Sequence, residues 1–310
     1  MEWHIARDGH RAVVVEVGGG LRAYTVAGQS ILDGYAESEV APGSAGQVLA
    51  PWPNRIRDGR YSFGGRPYQL PLTEPARHNA IHGLVNWSRW SLVDTSPDSV
   101  TIAYSPPPTP GYPWRLSLRT TWTVGPDGLV ATHEASNDGD APAPFGLGAH
   151  PYISLPGVRV EDLVLHVPAQ SRLLMDARML PIGAARVAGG DFDFTEPRVI
   201  GGAVLDSAFG GVMPGPDGRS VVTLSTVDRT RSVSVWADGA FRWWQVFTGD
   251  TLPPERKRRS VAVEPMTCPP DAFRSGRDIV VLDPGDTWRG TWGITPSASP
   301  SPSSAQTAGS

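Results

Sequence analysis

The sequence predicts an all-β protein, and three observations carry that reading. Glycine and proline are abundant, 35 and 31 residues in 310, and they are spread along the chain. That density of breaks leaves little room for long helices and suits many strands joined by turns. Leu116, Leu118, Thr120, Trp122 and Val124 alternate with Ser117, Arg119, Thr121 and Thr123, the period of two expected of a half-buried strand. The turn tetrapeptide Gly-Pro-Asp-Gly occurs at 125–128 and again at 215–218, and each copy leads into a β-prone run. No longer repeat joins the two copies, so shared turn chemistry accounts for them.

Length and charge narrow the field. A chain of 310 residues could hold two domains, but large all-β folds often exceed 200 residues as one. We expect a single domain over 1–295. With a formal charge of −4, nothing in the composition is basic enough to suggest nucleic acid. The start, Met1 to Asp8, lacks a basic segment followed by an apolar run, and no stretch reaches the ~20 apolar residues of a membrane span. A soluble, cytoplasmic protein that binds neither membrane nor nucleic acid is expected, as a monomer or homodimer. The single Cys268 excludes an intramolecular disulfide and a multi-cysteine zinc site. Lying between Thr267 and Pro269 with no neighbouring His, it reads as a buried, inert thiol. Eleven tryptophans suit either a sandwich core or the apolar face of a sugar.

Taken in order, residues 12–17 and 21–26 form a hairpin about Gly18-Gly19-Gly20. The triple glycine is no phosphate loop, since neither a Lys-Ser/Thr pair nor a helix follows. Residues 41–60 are loop-like, broken by Pro51, Pro53 and Gly59. Arg60–Phe63 and Arg66–Leu70 then pair across Gly64-Gly65. A long strand from Leu116 turns at Gly125 and returns over Leu129–Ala135. Val221–Leu224 and Ser232–Trp236 follow the second tetrapeptide. Ile279–Leu282, the turn Asp283–Asp286 and Trp288–Ile294 close the domain. From 296 to 310 the chain is rich in Pro and Ser, and the expectation is a disordered tail.

Four stretches carry side chains with possible chemistry. Val261-Ala262-Val263 leads to Glu264, and prolines at 265, 269 and 270 are expected to end the strand there. A carboxylate at a stiff strand tip is well placed for proton transfer; a capping or salt-bridging role is the plainer alternative. In Phe145 to Tyr152, small residues crowd the approach to His150 and Pro151 stops the strand after it, so another backbone or a ligand can come close. His150 reads either as a satisfied core histidine or as a functional one. His78 and His82 are four apart, but Pro75 and Gly83 argue against the helix a metal pair would need. A single polar role for His82 is the better reading, and no metal is expected. Arg55 is either a loop ion-pair former or a donor fork aimed at oxygens in a pocket.

Asn54-Arg55 ahead of the Gly64-Gly65 hairpin, Asn79-Ala80-Ile81-His82-Gly83, Gly148-Ala149-His150-Pro151-Tyr152, Leu205-Asp206 and Val263-Glu264-Pro265 occur in that order. Together they resemble the aldose 1-epimerase (galactose mutarotase) family over roughly residues 10–294. The resemblance implies an antiparallel β-supersandwich with a wide cleft on one sheet. It implies Glu264 as base, His150 as acid and His82 as an assisting group, with Arg55, Asn54 and Asp206 holding sugar hydroxyls. The implied activity interconverts the α and β anomers of an aldohexose, with a monosaccharide as the only partner and no cofactor. Gly83-Leu84 and Thr73 depart from the family's usual Gly-Gly and Asn, so glucose and galactose are expected to react within a modest factor of each other. Two alternatives stand beside it. One is a non-catalytic sugar-binding module on the same fold. The other is an epimerase for a hexose 6-phosphate or another anionic sugar, suggested by Arg256-Lys257-Arg258-Arg259.

Overall fold

A computed structural model describes residues 1–297 of the chain. Two large sheets dominate, one of nine strands and one of eight, accompanied by a four-stranded sheet built from the first thirty residues. Their ladders are antiparallel, and the sole α-helix among the described residues is the single turn Ala272–Ser275. This is the all-β architecture that the punctuation and alternation predict. Among the described residues no helix is long and apolar enough to cross a membrane.

The alternating run is the spine of the nine-stranded sheet. Leu116–Gly125 and Gly128–Asn137 form its longest hairpin, closed where Gly125 faces Gly128. Leu116, Leu118, Thr120, Trp122 and Val124 are all buried, so the face read from the sequence is the core face. Thr120 is tolerated there because its hydroxyl pairs with His133 Nδ1 at 2.9 Å, while His133 Nε2 accepts the Trp292 indole N–H at 2.9 Å. The last strand, Thr287–Ser297, lies between this hairpin and Ser232–Ala237.

One contiguous apolar core joins all three sheets. Trp122 and Trp292 enter it from the nine-stranded sheet, Trp244, Val246 and Val263 from the eight-stranded one, and Val14 and Tyr24 from the small one. Most of the tryptophans serve the core: Trp52, Trp90, Trp122, Trp243, Trp244 and Trp292 are almost fully buried, while Trp87 is exposed. Two indoles also bind one layer to the next. Trp244 Nε1 donates to the Ser220 hydroxyl at 3.1 Å, and Trp122 Nε1 donates to the Gly19 carbonyl at 3.0 Å.

Several boundaries differ from the sequence reading. The first hairpin runs His10–Val15 and Leu21–Val26, and a further strand, Glu2–Arg7, precedes it. Its turn, Asp8-Gly9, adopts positive φ at both positions, a hairpin signal present in the sequence. The loop-like stretch 41–60 contains two short strands, Val48–Leu49 and Arg55–Arg57. The closing strand runs two residues past 295, with Pro296 and Ser297 facing Val233 and Ser232. The rest of the expected tail, from residue 298, lies outside the described residues.

Pro265 does not end its strand. Val261–Met266 runs through it in the middle of the eight-stranded sheet. The amides of Val263 and Thr267 donate to Pro151 and Leu147 on one side, so by alternation position 265 faces that side too. The neighbouring chain is interrupted there, between the short strands Gly148–Ala149 and Tyr152–Ile153. A missing N–H therefore falls where no ladder partner waits, which is how a central strand accommodates proline.

Candidate active site

The break opposite Pro265 creates the site. Glu264 is one residue from the proline, in a strand whose every residue is buried, and the interrupted neighbour presents His150 across the gap. His150 Nε2 lies 3.4 Å from Glu264 Oε1, and the two residues are only 6% and 2% exposed. Tyr152 stacks on the His150 ring at 4.9 Å and fixes its plane. The small residues before His150 matter as sterics: a Cβ on Gly148 would stand 2.8 Å from Pro53 Cβ. The loop carrying Asn54 and Arg55 can therefore pack directly on this segment.

That loop brings in the second half of the site. Arg55–Arg57 pairs with Asn79–Ile81, with Arg55 opposite Ile81, and this sets Asn54 beside His82. The His82 amide donates to the Asn54 carbonyl at 3.0 Å, and the Asn54 amide donates to His82 Nδ1 at 3.2 Å. Since Nδ1 accepts, a neutral His82 carries its proton on Nε2. Its ring meets the His150 ring edge to face at 5.5 Å. His78 turns away instead, towards Asp58 on the surface. Asn54 Oδ1 is directed at Arg55, accepting its backbone amide at 3.0 Å and Nη1 at 3.4 Å. Arg55 itself is forked onto Glu74, through Nε at 2.9 Å and Nη2 at 3.0 Å.

The third part comes from the strands beside Glu264. Trp243–Phe247 sets Gln245 directly opposite Glu264, and Asp206–Val212 sets Asp206 at its start, opposite Phe247. Gln245 Nε2 donates to Asp206 Oδ1 at 2.5 Å. Glu264 Oε2, Gln245 Oε1 and His150 Nδ1 are buried with no hydrogen-bond partner among the described residues. Unmatched polar atoms are costly in a protein interior, and these three belong to residues that adjoin one another about Glu264.

The fold thus gathers Glu264, His150, His82, Arg55, Asn54 and Asp206 into one region. Their electrostatics show it. Burial pushes the Glu264 carboxyl well above the usual range, Asp206 pushes it further, and Arg55 opposes both. Burial lowers His150 to about 3, with Arg55 acting in the same direction. His82 is held well below its ordinary value by burial, by His150 and by Arg55. Asp206 is raised by burial against the pull of Arg55. Two members had escaped the sequence reading, Gln245 and Glu74. Gln245 left a trace, as the only strongly polar residue in the apolar run Trp243–Phe247; Glu74 left none. Cys268 is free and buried, its thiol pushed up to about 12 by burial, which agrees with an inert role.

Comparison with known proteins gives the family and the fold. The sequence profile of the aldose 1-epimerase family matches residues 1–295. The uncharacterized protein YihR of Escherichia coli K12 is 32% identical over 286 residues, covering 92% of this chain and 90% of that protein. The galactose mutarotase of Mus musculus is 29% identical over 191 residues, which span 58% of this chain and 53% of the mouse protein. Among solved structures, a GalM/aldose epimerase homologue from C. elegans superposes with a TM-score of 0.86 at 20% identity, covering 97% of this chain and 99% of that one. Galactose 1-epimerase from Lactobacillus acidophilus NCFM gives 0.81 at 21% identity, over 96% and 94%. These two likenesses identify the fold as the galactose mutarotase type. With the family profile spanning nearly the whole chain, the protein belongs to the aldose 1-epimerase family.

Proposed function

We propose that the protein interconverts the α and β anomers of an aldohexose of the glucose or galactose type. The observation that carries this reading is the buried Glu264–His150 pair at 3.4 Å, flanked by Asp206 and Arg55. Anomer exchange needs one group to take the C1 hydroxyl proton and another to protonate the ring oxygen. The ring opens to the aldehyde, the C1–C2 bond turns, and the same two groups reverse the transfer. Glu264 serves as base and His150 as acid, each contributing on the order of 10²–10⁴-fold. His82 lies against the His150 ring and assists, while Arg55, Asn54 and Asp206 hold sugar hydroxyls. Only protons move, so the chemistry requires neither a metal nor a redox cofactor.

The anionic-sugar alternative rests on Arg256–Arg259, and the three arginines of that run are engaged elsewhere. Arg256 bonds the Gly34 carbonyl and Glu39, Arg258 bonds Asp250 and the Gly201 and Ala203 carbonyls, and Arg259 bonds Asp33. A cavity of about 520 Å³ borders it, but both of its arginines, Arg256 and Arg259, are already paired with carboxylates.

Polarimetry on freshly dissolved α-anomers, run beside sugar-binding calorimetry, tests the proposal. Neutral aldohexoses should equilibrate faster than in buffer, and the rate should survive chelator treatment and dialysis. Binding without acceleration would establish the non-catalytic module instead. Acceleration confined to sugars with an anionic C6 substituent would establish the anionic-sugar enzyme.

A further inference from the structure

We propose that Glu74 is a positioning residue: it locks the Arg55 guanidinium and sets how strongly that cation acts on the Glu264–His150 pair. The inference deepens the functional reading above and rests on it for its kinetic consequences.

Glu74 is the most heavily bonded carboxylate near the site. Its two oxygens receive four donors: Arg55 Nε at 2.9 Å, Arg55 Nη2 at 3.0 Å, Arg77 Nη1 at 2.8 Å and Asn79 Nδ2 at 3.0 Å. Its main chain is tied down as well, since Glu74 and Asn79 exchange both backbone hydrogen bonds, at 2.9 and 3.2 Å. Asn79 is in turn paired with Arg57 in the short ladder that begins at Arg55. The path from Arg55 through the ladder to Asn79, on to Glu74 and back to the Arg55 side chain is therefore a closed ring of bonds. Within that ring the guanidinium has one orientation, with Nε and Nη2 on Glu74 and Nη1 towards Asn54 Oδ1. Two parallel charge-assisted bonds of this kind fix direction as well as distance.

The arrangement matters because Arg55 is the cation that every titratable member of the site feels. It opposes protonation of Glu264, His150, His82 and Asp206. Glu74 is buried enough to be pushed up, yet the Arg55, Asn79 and Arg77 bonds outweigh burial and keep it below the usual range. It stays a carboxylate at neutral pH and offsets part of the Arg55 charge. The groups facing the Glu264–His150 pair from the surrounding strands and loops are Asp206, Gln245, His82, Arg55 and Tyr152. Of these only Arg55 is a permanent cation, and Glu74 acts on the pair chiefly by holding it; Glu74 also raises Asp206 directly, in the same sense as offsetting Arg55.

Glu74→Gln keeps the shape and removes the charge; Glu74→Asp keeps the charge and shortens the reach. With Glu74→Gln, both limbs of the kcat/KM pH profile should move to lower pH by roughly half a unit or more, because the unopposed Arg55 disfavours every proton on the pair. KM should rise by about tenfold, with kcat changed far less. Glu74→Asp should return the limbs towards their original positions while KM stays raised. A role confined to stability would lower the melting temperature of both variants and leave the limbs and KM unmoved, and that result would overturn the proposal. A second readout needs no turnover. In ¹⁵N-arginine spectra the Arg55 Nε–H, assigned by its loss in Arg55→Lys, should exchange slowly in the wild type and rapidly in Glu74→Gln. An unchanged signal would show that Glu74 does not hold the fork. If the wild type fails to accelerate anomer exchange, the functional reading falls while this measurement still decides the role of Glu74.

Discussion

In the ligand-free site Glu264 and His150 share one dissociable proton, and burial favours leaving it on the carboxyl, because two neutral groups need less solvation than two ions. The carboxylate–imidazolium arrangement that the proposed mechanism uses contains the same number of protons. Sugar hydroxyls bonding to the unmatched Glu264 Oε2 and His150 Nδ1 would favour that ionic form. The pH limits then belong to the pair. Activity should fall in acid as His150 takes a second proton, towards about 3, and in alkali as the raised Glu264 loses the only one. Residue type alone would assign the limbs the other way round, with Glu264 on the acid side. Glu264→Gln should lower kcat by at least ~10²-fold with sugar binding largely kept, as should His150→Asn. Turnover surviving in Glu264→Gln would mean that the base is another residue. His133, far from this chemistry, supplies a second prediction. Buried between Thr120 and Trp292, it is lowered to about 3. Below its ordinary 6.5 the unfolded chain takes up a proton that the native state refuses, so stability is lost as pH falls from 6.5 towards 3. His82 and His150 act in the same sense; Glu264 acts oppositely, and only above its ordinary 4.5. Denaturant melts of His133→Gln should show a shallower decline across this range, by up to ~1.4 kcal/mol per pH unit.

At the scale of single strands, legibility followed local chemistry. The hairpins at 116–137 and 60–69 could be read because alternation and turn residues lie within a few positions of each other. The course of Val261–Met266 could not, since Pro265 is permitted by a gap in a chain segment more than a hundred residues earlier. His150 was visible as a histidine after small residues, but its distance from Glu264 depends on that same gap. Glu74 was invisible because its role depends on Arg55 and Asn79 meeting in a ladder. Glycine geometry gives a test at this scale. Gly83 has φ +78°, and an added Cβ would stand 2.0 Å from the Ala50 carbonyl oxygen, against backbone that cannot yield. Gly83→Ala should destabilise by at least ~3 kcal/mol through strain and overpacking. Gly64 also has positive φ, +56°, but opens onto free space, so Gly64→Ala should cost only about 1 kcal/mol. Equal losses for the two would show that backbone conformation rather than close approach governs both positions.

For the molecule as a whole, the fold class was legible from composition and periodicity, while the way three sheets share one core was not, because it depends on pairings between distant segments. Among the described residues, Pro296 and Ser297 mark one edge of that assembly. Pro296 and Ser297 still face Val233 and Ser232, and the Ser297 and Ser232 hydroxyls bond at 2.6 Å. Ending the chain after Ser297 should leave the melting temperature and turnover unchanged, as the Pro/Ser composition beyond it implies. Ending it after Gly293 removes the pairings of the last strand with Val233, Ser234 and Val235 and should lower the melting temperature by several degrees. A loss on the first truncation would show that the final residues add to the fold.

The interruption of the sheet opposite Pro265 has a consequence for heredity as well as for chemistry. His150 and Glu264 meet across a seam between segments 114 positions apart, and the arginine that acts on both arrives from position 55. No contiguous fragment shorter than about two-thirds of the chain contains all three. A chain stopped before position 264 lacks the carboxylate, and one begun after position 55 lacks the arginine. Variation that preserves the proposed activity must therefore keep all three positions, and it can change the rest of the span by substitution or by insertion and deletion in its loops.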